Sequence, residues 1–165
     1  MIIGIVAVDR QRAIGKDGKL PWHYSADMKF FRETTIGNAC VMGSRTWKSL
    51  NQPLKKRLNI VLSRGGDVGP ADMIIVLRDV ESVLLLNSYL NCDLFVIGGE
   101  KVYKSFLPHI ERWIVTEVPL IVEDADAFIP EDYTEGFTKV RSLELEKDLV
   151  VSIYDRVDGT NYGTL

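Results

Sequence analysis

Cysteine and histidine are nearly absent from this 165-residue chain, with only two of each. Cys40 and Cys92 are too few for a disulfide scaffold or a cysteine-rich metal site. Cys40 sits in an apolar run, where a free thiol behaves as a small hydrophobe. Reduced thiols fit a cytoplasmic setting. His23 and His109 lie far apart and lack metal-ligand spacing, so no metal is expected. Long apolar runs are missing as well, and none approaches the ~20 residues that a membrane helix needs. The start, MIIGIVAVDR, lacks a basic leading segment and turns polar after eight residues. It reads as a buried first strand, not a signal peptide, and no membrane partner is expected. There is no repeat, low-complexity tract or linker. The length fits one domain over 1–157, followed by a polar tail, DGTNYGTL, at 158–165 that is expected to fray.

A large net charge is also lacking: 20 Lys and Arg against 23 Asp and Glu leave −3. That total conceals a split. Residues 1–66 hold 12 basic and 4 acidic side chains, or +8, and residues 67–165 hold 8 and 19, or −11. Such asymmetry suggests that the first half meets anions. A nucleic-acid-binding module is one reading. Against it, the basic residues lack the interleaved aromatics of a base-stacking platform, and no helix lines Arg and Lys along one face. At 46% hydrophobic and 26% charged residues, disorder is excluded.

What is present alternates. Short β-branched runs at 2–8, 39–42, 58–63, 73–77, 94–98, 113–118, 139–145 and 150–157 read as strands, most of them covered on both faces. Helical periodicity falls at 25–35, 44–50, 80–90 and 100–107. This predicts an α/β fold with a mainly parallel eight-stranded sheet and about four flanking helices. The last two strands have no helix between them and form an antiparallel hairpin. Residues 9–24, DRQRAIGKDGKLPWHY, make a connection long enough to be functional. The Leu20-Pro21-Trp22 cluster favours a lid over a plain surface loop, because bulky apolar residues need something to cover.

Two strand-to-helix junctions carry glycines: Gly43-Ser44-Arg45-Thr46 and Gly98-Gly99-Glu100-Lys101. Each sets backbone N–H groups at a helix start, which attracts anions. Neither is a dinucleotide or Walker fingerprint. Ser63-Arg64 follows another strand. If the strands are neighbours, two Ser-Arg pairs converge at one rim and suit a phosphate monoester. Solvated arginines are the ordinary alternative. Asp27 stands out among the acids. It shares a helix face with Phe30, Phe31 and Thr34, so it points toward apolar surroundings and is either paired or shifted in pKa. There it can bind an amidine-like heterocycle or relay a proton. Asp9 and Asp17 read as loop residues, and Glu33 pairs with Lys29. In the Lys55-Lys56-Arg57 run, Arg57 is the bidentate candidate for a carboxylate.

Taken in order, IVAVD, IGKDGKLPWHYSADMKFF, VMGSRTWKSL, PLKKRLNIVLSR, LFVIGGEKVYKSFLP and IVTEV followed by DAFIP resemble the dihydrofolate reductase family over residues 1–157. The resemblance implies a monomeric NADPH-dependent oxidoreductase of one-carbon metabolism. It would reduce 7,8-dihydrofolate to 5,6,7,8-tetrahydrofolate, with hydride to C6 and a proton to N5. Asp27 matches the acid that holds the pterin, Thr116 its hydrogen-bonding threonine, and Trp22 the tryptophan that orders a water. Ile5, Ala7, Met28, Phe31, Leu50, Leu54 and Ile97 match the folate slot, and Arg57 the partner of the glutamate α-carboxylate. Ala7, Ile14 and Gly15 match backbone contacts to the nicotinamide carboxamide. Gly43, Ser44, Arg45 and Thr46 match a phosphate-binding helix start, and Ser63 and Arg64 the 2′-phosphate pocket. Gly98 and Gly99 match a glycine pair held in a cis peptide, and Glu100, Lys101, Val102 and Tyr103 follow on the cofactor side. Residues 9–24 match the mobile loop.

Several positions depart from the family pattern. Ser25 stands where many members have proline, Leu20 where some have methionine, and Gln52 where some have a second basic residue. Glu123–Asp126 looks about one residue longer than in short bacterial members, and no role is assigned to Asp126. The nearest rival is a pyrimidine reductase of riboflavin synthesis, against which Asp27, Phe30, Phe31 and Arg57 favour folate.

Overall fold

The computed structural model describes residues 1–65, 68 and 74–157. The expected tail at 158–165 and Met73 of the expected fourth strand lie outside the described residues. Elements follow in the order β1 (Ile2–Val8), β2 (Ala13–Gly15), α1 (Ser25–Thr35), β3 (Ala39–Gly43), α2 (Ser44–Ser49), β4 (Leu58–Leu62), β5 (Ile74–Leu77), α3 (Val80–Asn87), β6 (Leu94–Val96), α4 (Glu100–Phe106), β7 (Arg112–Glu117), β8 (Ala127–Phe128), β9 (Phe137–Glu146) and β10 (Leu149–Arg156). A 3-10 turn, Leu107–His109, follows α4. The main sheet has eight strands in the order β5-β4-β3-β6-β1-β7-β10-β9. Every pairing is parallel except those of β10, which runs antiparallel to β7 and β9. This is the α/β architecture that the pattern of runs predicts.

β1 lies between β6 and β7, and its residues are buried on both faces except for Ala7. Side chains alternate across the sheet. Ile2, Val6, Val8, Ala39 and Val41 join one apolar cluster with Val83, Val102 and Phe106 of α3 and α4. Ile3, Ile5, Cys40, Met42 and Val61 join the other, against Phe30 and Phe31 of α1 and Trp47 of α2. Burying each such side chain is worth about 1.5–3 kcal/mol. A surface pair such as Lys29–Glu33, with its 3.9 Å separation, adds only a few tenths. The two apolar layers therefore hold the sheet. β9 ends it as an edge strand with mostly exposed residues, among them Lys139, Arg141, Glu144 and Glu146, a charged edge that discourages pairing with another chain.

Gly4 sits opposite Trp113 in the β1–β7 register. A Cβ at Gly4 would lie 2.3 Å from the fully buried Trp113 ring, so only glycine leaves room for it. The indole packs against Tyr103, ring centres 5.7 Å apart, and edge-on to Tyr133 at 5.4 Å.

Element ends differ from expectation where hydrogen bonding changes. α3 stops at Asn87, not Leu90, because Tyr89 and Leu90 bond back three residues, to Leu86 and Asn87. α4 stops at Phe106, before the turn containing Pro108. β6 stops at Val96, ahead of the cis Gly98–Gly99 peptide. The long 9–24 connection is not irregular throughout: β2 within it pairs antiparallel with β8. Asp9, expected as an ordinary loop residue, is 4% exposed. Its Oδ1 accepts from Gln11 N and Ala13 N, and its Oδ2 from Val122 N, all at 2.8 Å. One carboxylate thus ties the start of the long connection to the 118–126 segment. No helix among the described residues is long and apolar enough to cross a membrane.

Candidate active site

Parallel pairing brings the carboxyl ends of β1, β3, β4, β6 and β7 to one rim, where ligands of open α/β sheets bind. There the structure opens a cleft of about 1100 Å³. β3 and β4 are neighbours, with Gly43 opposite Leu62. Ser44-Arg45 and Ser63-Arg64 therefore leave the sheet side by side, as the convergence reading requires. The two glycine junctions are also joined, since Gly43 N donates to Gly98 O at 2.8 Å.

One wall is apolar and carries an acid. Ile5, Ala7, Met28, Phe31, Leu50, Leu54 and Ile97 line it with Asp27 and Thr116. Asp27 lies in the first turn of α1, 9% exposed. Thr116 Oγ1, on β7, donates to Asp27 Oδ1 at 2.6 Å. Burial raises the Asp27 pKa above the ordinary value, and the Thr116 hydrogen bond opposes that rise without cancelling it. Asp27 Oδ2 carries no hydrogen bond from the described residues. The pair thus offers one carboxylate oxygen to a ligand in apolar surroundings. The expected helix face is present, although Thr35, not Thr34, is its buried threonine.

The opposite wall is rich in donors. Gly43, Ser44, Arg45, Thr46, Ser63, Arg64, Gly99, Glu100, Lys101, Val102 and Tyr103 line it. Among the described residues no side chain caps α2 or α4, which both start from glycines; in α4 Val102 N turns back to Gly99 O at 3.0 Å, and the N–H groups of Glu100 and Lys101 remain for another acceptor. Arg45, Arg64 and the rim residue Arg78 form no ion pair among the described residues. Unpaired guanidiniums, hydroxyls and uncapped N–H groups form a donor set that fits a phosphate-bearing cofactor. Gly98 holds φ +109°, and a Cβ there would lie 2.9 Å from the Tyr103 ring. Tyr103 Oη in turn donates to Ile5 O at 2.8 Å, which braces the junction against the apolar wall.

Ile14 and Gly15 reach the cleft from β2. Three expected residues do not line it. Gly98 is buried behind Gly99. Trp22 stands off the cleft with its Nε1 buried and unbonded. Arg57 is held beside it, its guanidinium 6.0 Å from the centre of the Phe31 ring. Phe30, which the sequence set beside Asp27, lines the cleft too, as do Arg78 and Asp126, to which the sequence assigned no site role. Arg78 follows β5 as Arg64 follows β4, and that repeated placement was the available signal. Asp126 Oδ2 accepts from Asp17 N at 2.9 Å and Asp126 N donates to Gly15 O at 3.2 Å, across a separation that no local pattern reveals. Among the described residues, no group of three or more His, Cys, Asp and Glu could hold a metal ion.

A buried acid in an apolar wall, facing a wall of anion donors, suits an enzyme of a phosphate-bearing cofactor. Comparison narrows this class. Residues 1–155 match the family model described as dihydrofolate reductase. The chain is 32% identical over 160 residues to a dihydrofolate reductase of Staphylococcus haemolyticus, covering 93% of this chain and 94% of that one. It is 34% identical over 148 residues to the Bacillus subtilis dihydrofolate reductase, covering 90% and 86%. Among solved structures it is similar to dihydrofolate reductase from Enterococcus faecalis, complexed with NADP(H) and RAB-propyl, with a TM-score of 0.88 and 32% identity over 96% of this chain and 97% of that chain. The chain belongs to the dihydrofolate reductase family.

Because the folded protein holds the Asp27 proton more tightly than the unfolded chain, ionising this group costs stability. The cost is absent below the unfolded value of 3.8, grows as pH rises from there through the folded value, and is complete above it. Asp27→Asn will therefore melt a few degrees above the parent at neutral pH, and scanning calorimetry across pH will show the gap closing as pH falls toward 3.8.

Proposed function

We propose that this chain reduces 7,8-dihydrofolate to 5,6,7,8-tetrahydrofolate with NADPH, as a monomeric cytoplasmic enzyme with one catalytic domain over 1–157. The observation that carries this reading is the Asp27–Thr116 pair, which leaves one carboxylate oxygen free at the base of an apolar slot opposite the phosphate-suited wall. When bound, NADPH supplies the hydride that adds to C6 of the substrate. The residues of the chain bind, orient and exclude water. Ser44, Arg45 and Thr46, with the start of α2, hold the phosphates, and Ser63 and Arg64 hold the 2′-phosphate. Ala7, Ile14 and Gly15 present backbone groups to the nicotinamide carboxamide. Gly98 and Gly99 let the cofactor approach the rim closely, where Glu100, Lys101, Val102 and Tyr103 flank it.

Ile5, Met28, Phe31, Leu50, Leu54 and Ile97 enclose the pterin and benzoyl rings, and Arg57 pairs with the α-carboxylate of the tail. Asp27 binds the 2-amino group and N3 of the pterin, and Thr116 orients Asp27. Held there, Asp27 is remote from N5. It stabilises the protonated, cationic substrate electrostatically, while water delivers the proton. Trp22 Nε1, a buried donor without an acceptor among the described residues, suits the ordering of that water. The 9–24 connection closes over the rings and keeps bulk water out. The free thiols of Cys40 and Cys92 accord with a reducing compartment.

The first test is oxidation of NADPH by the purified chain in the presence of dihydrofolate. In that assay Asp27→Asn will lower kcat by about 10²- to 10⁴-fold at neutral pH and by less in acid, where solution supplies the proton. Equal losses at every pH would contradict this role for Asp27. The double variant Arg45→Ala with Arg64→Ala will raise KM for NADPH by about 10²-fold, far more than it raises KM for NADH. An unaltered ratio of the two KM values would dismiss the 2′-phosphate pocket.

A further inference from the structure

Arg57 is far more constrained than a rim arginine needs to be. Its Nη1 donates to Thr35 Oγ1 at 3.0 Å, and its Nε to Lys55 O at 3.1 Å. Thr35 is the last residue of α1 and is fully buried. Its hydroxyl hydrogen is already committed, since Oγ1 donates to Phe31 O at 2.8 Å. The oxygen can therefore meet Arg57 only as an acceptor, which gives the contact one polarity. The backbone that carries Arg57 is fixed independently. Asn59, 1% exposed, accepts from Leu54 N and donates to both Leu54 O and Arg57 O, each at 3.0 Å. Among the described residues no acceptor meets either hydrogen of Nη2, and the guanidinium stands over Phe31, a wall of the cleft.

We infer that Thr35 is a positioning residue for substrate selection: it holds the Arg57 guanidinium ready for the carboxylate of a substrate with an acidic tail. The inference rests on the proposed pairing of Arg57 with that carboxylate. An arginine side chain loses rotamer freedom when it pairs, and a guanidinium fixed beforehand has less to lose. Binding of the pterin ring itself does not draw on this contact. Thr35 therefore selects for the tail and is indifferent to the ring.

The test uses two substrates, 7,8-dihydrofolate and the tail-less 6-methyl-7,8-dihydropterin, with the full chain. Thr35→Val keeps the shape and removes the hydroxyl, and with it both the acceptor for Arg57 and the donor to Phe31 O; the tail-less substrate reads any effect that passes through Phe31 to the ring. It will raise KM for dihydrofolate by about tenfold with kcat unchanged, and will leave KM for the tail-less pterin as in the parent. Thr35→Ser restores the acceptor and will return KM for dihydrofolate to the parent value. Arg57→Ala will raise the same KM, and adding Thr35→Val to it will raise it no further. Equal increases for both substrates would reduce Thr35 to a structural role and overturn the inference. So would an additive double variant, or a Thr35→Val enzyme indistinguishable from the parent while Arg57→Ala is impaired. If Arg57→Ala leaves KM for dihydrofolate unchanged, the carboxylate pairing itself fails, and the role of Thr35 falls with it.

Discussion

A hydrogen bond of 2.6 Å joins Thr116 on β7 to Asp27 on α1, two residues 89 positions apart. The arrangement of the active site depends on it. Asp27 is buried against an apolar helix face, which alone would leave its charged form unsupported. Thr116 supplies one partner for Oδ1, and Oδ2 remains for a ligand. To meet, the two residues need β7 beside β1 in the register that sets Ala7 opposite Thr116, and α1 laid over the same face of the sheet. The Gly4 notch that admits Trp113 lies in the same strand pair. The core packing that holds the sheet thus also places the acid. The acid proposed to hold the substrate is one whose ionisation the fold resists, a common cost of function in stable proteins.

The opposite wall is built on other terms. Among the described residues no side chain caps α2 or α4 and no acid pairs with the guanidiniums at the rim, so donors accumulate where the sheet ends. This gives the charge split a local meaning. The surplus of basic residues over 1–66 includes Arg45, Arg57 and Arg64, each with a proposed anionic partner. Arg78, from the acidic part of the chain, joins the same rim.

Much of this was legible before the structure, for identifiable reasons. Asp27 was visible because one acid on a face with two phenylalanines breaks the helix pattern. The Ser-Arg pairs were visible because each follows a β-branched run, and parallel strands end together. Thr116 was not visible in any pattern: it is one threonine among strand residues, and only the family resemblance singled it out. Asp9 is the loop residue the sequence suggests, but its burial was not visible: Gln11 and Ala13 are local partners, whereas Val122 comes from a segment 113 positions away. Thr35 was passed over for the same reason. Its partner Arg57 arrives from another segment, so the helix face alone did not distinguish it from Thr34.

The central claim is that burial and Thr116 act in opposite directions on one functional carboxyl. It is tested most directly by titrating the Asp27 side-chain carbon by NMR in the ligand-free protein and in Thr116→Val. The account predicts a pKa above the ordinary 3.8 in the parent and a still higher one in the variant, where burial acts unopposed. A parent value at or below 3.8, or a downward movement in the variant, would contradict it.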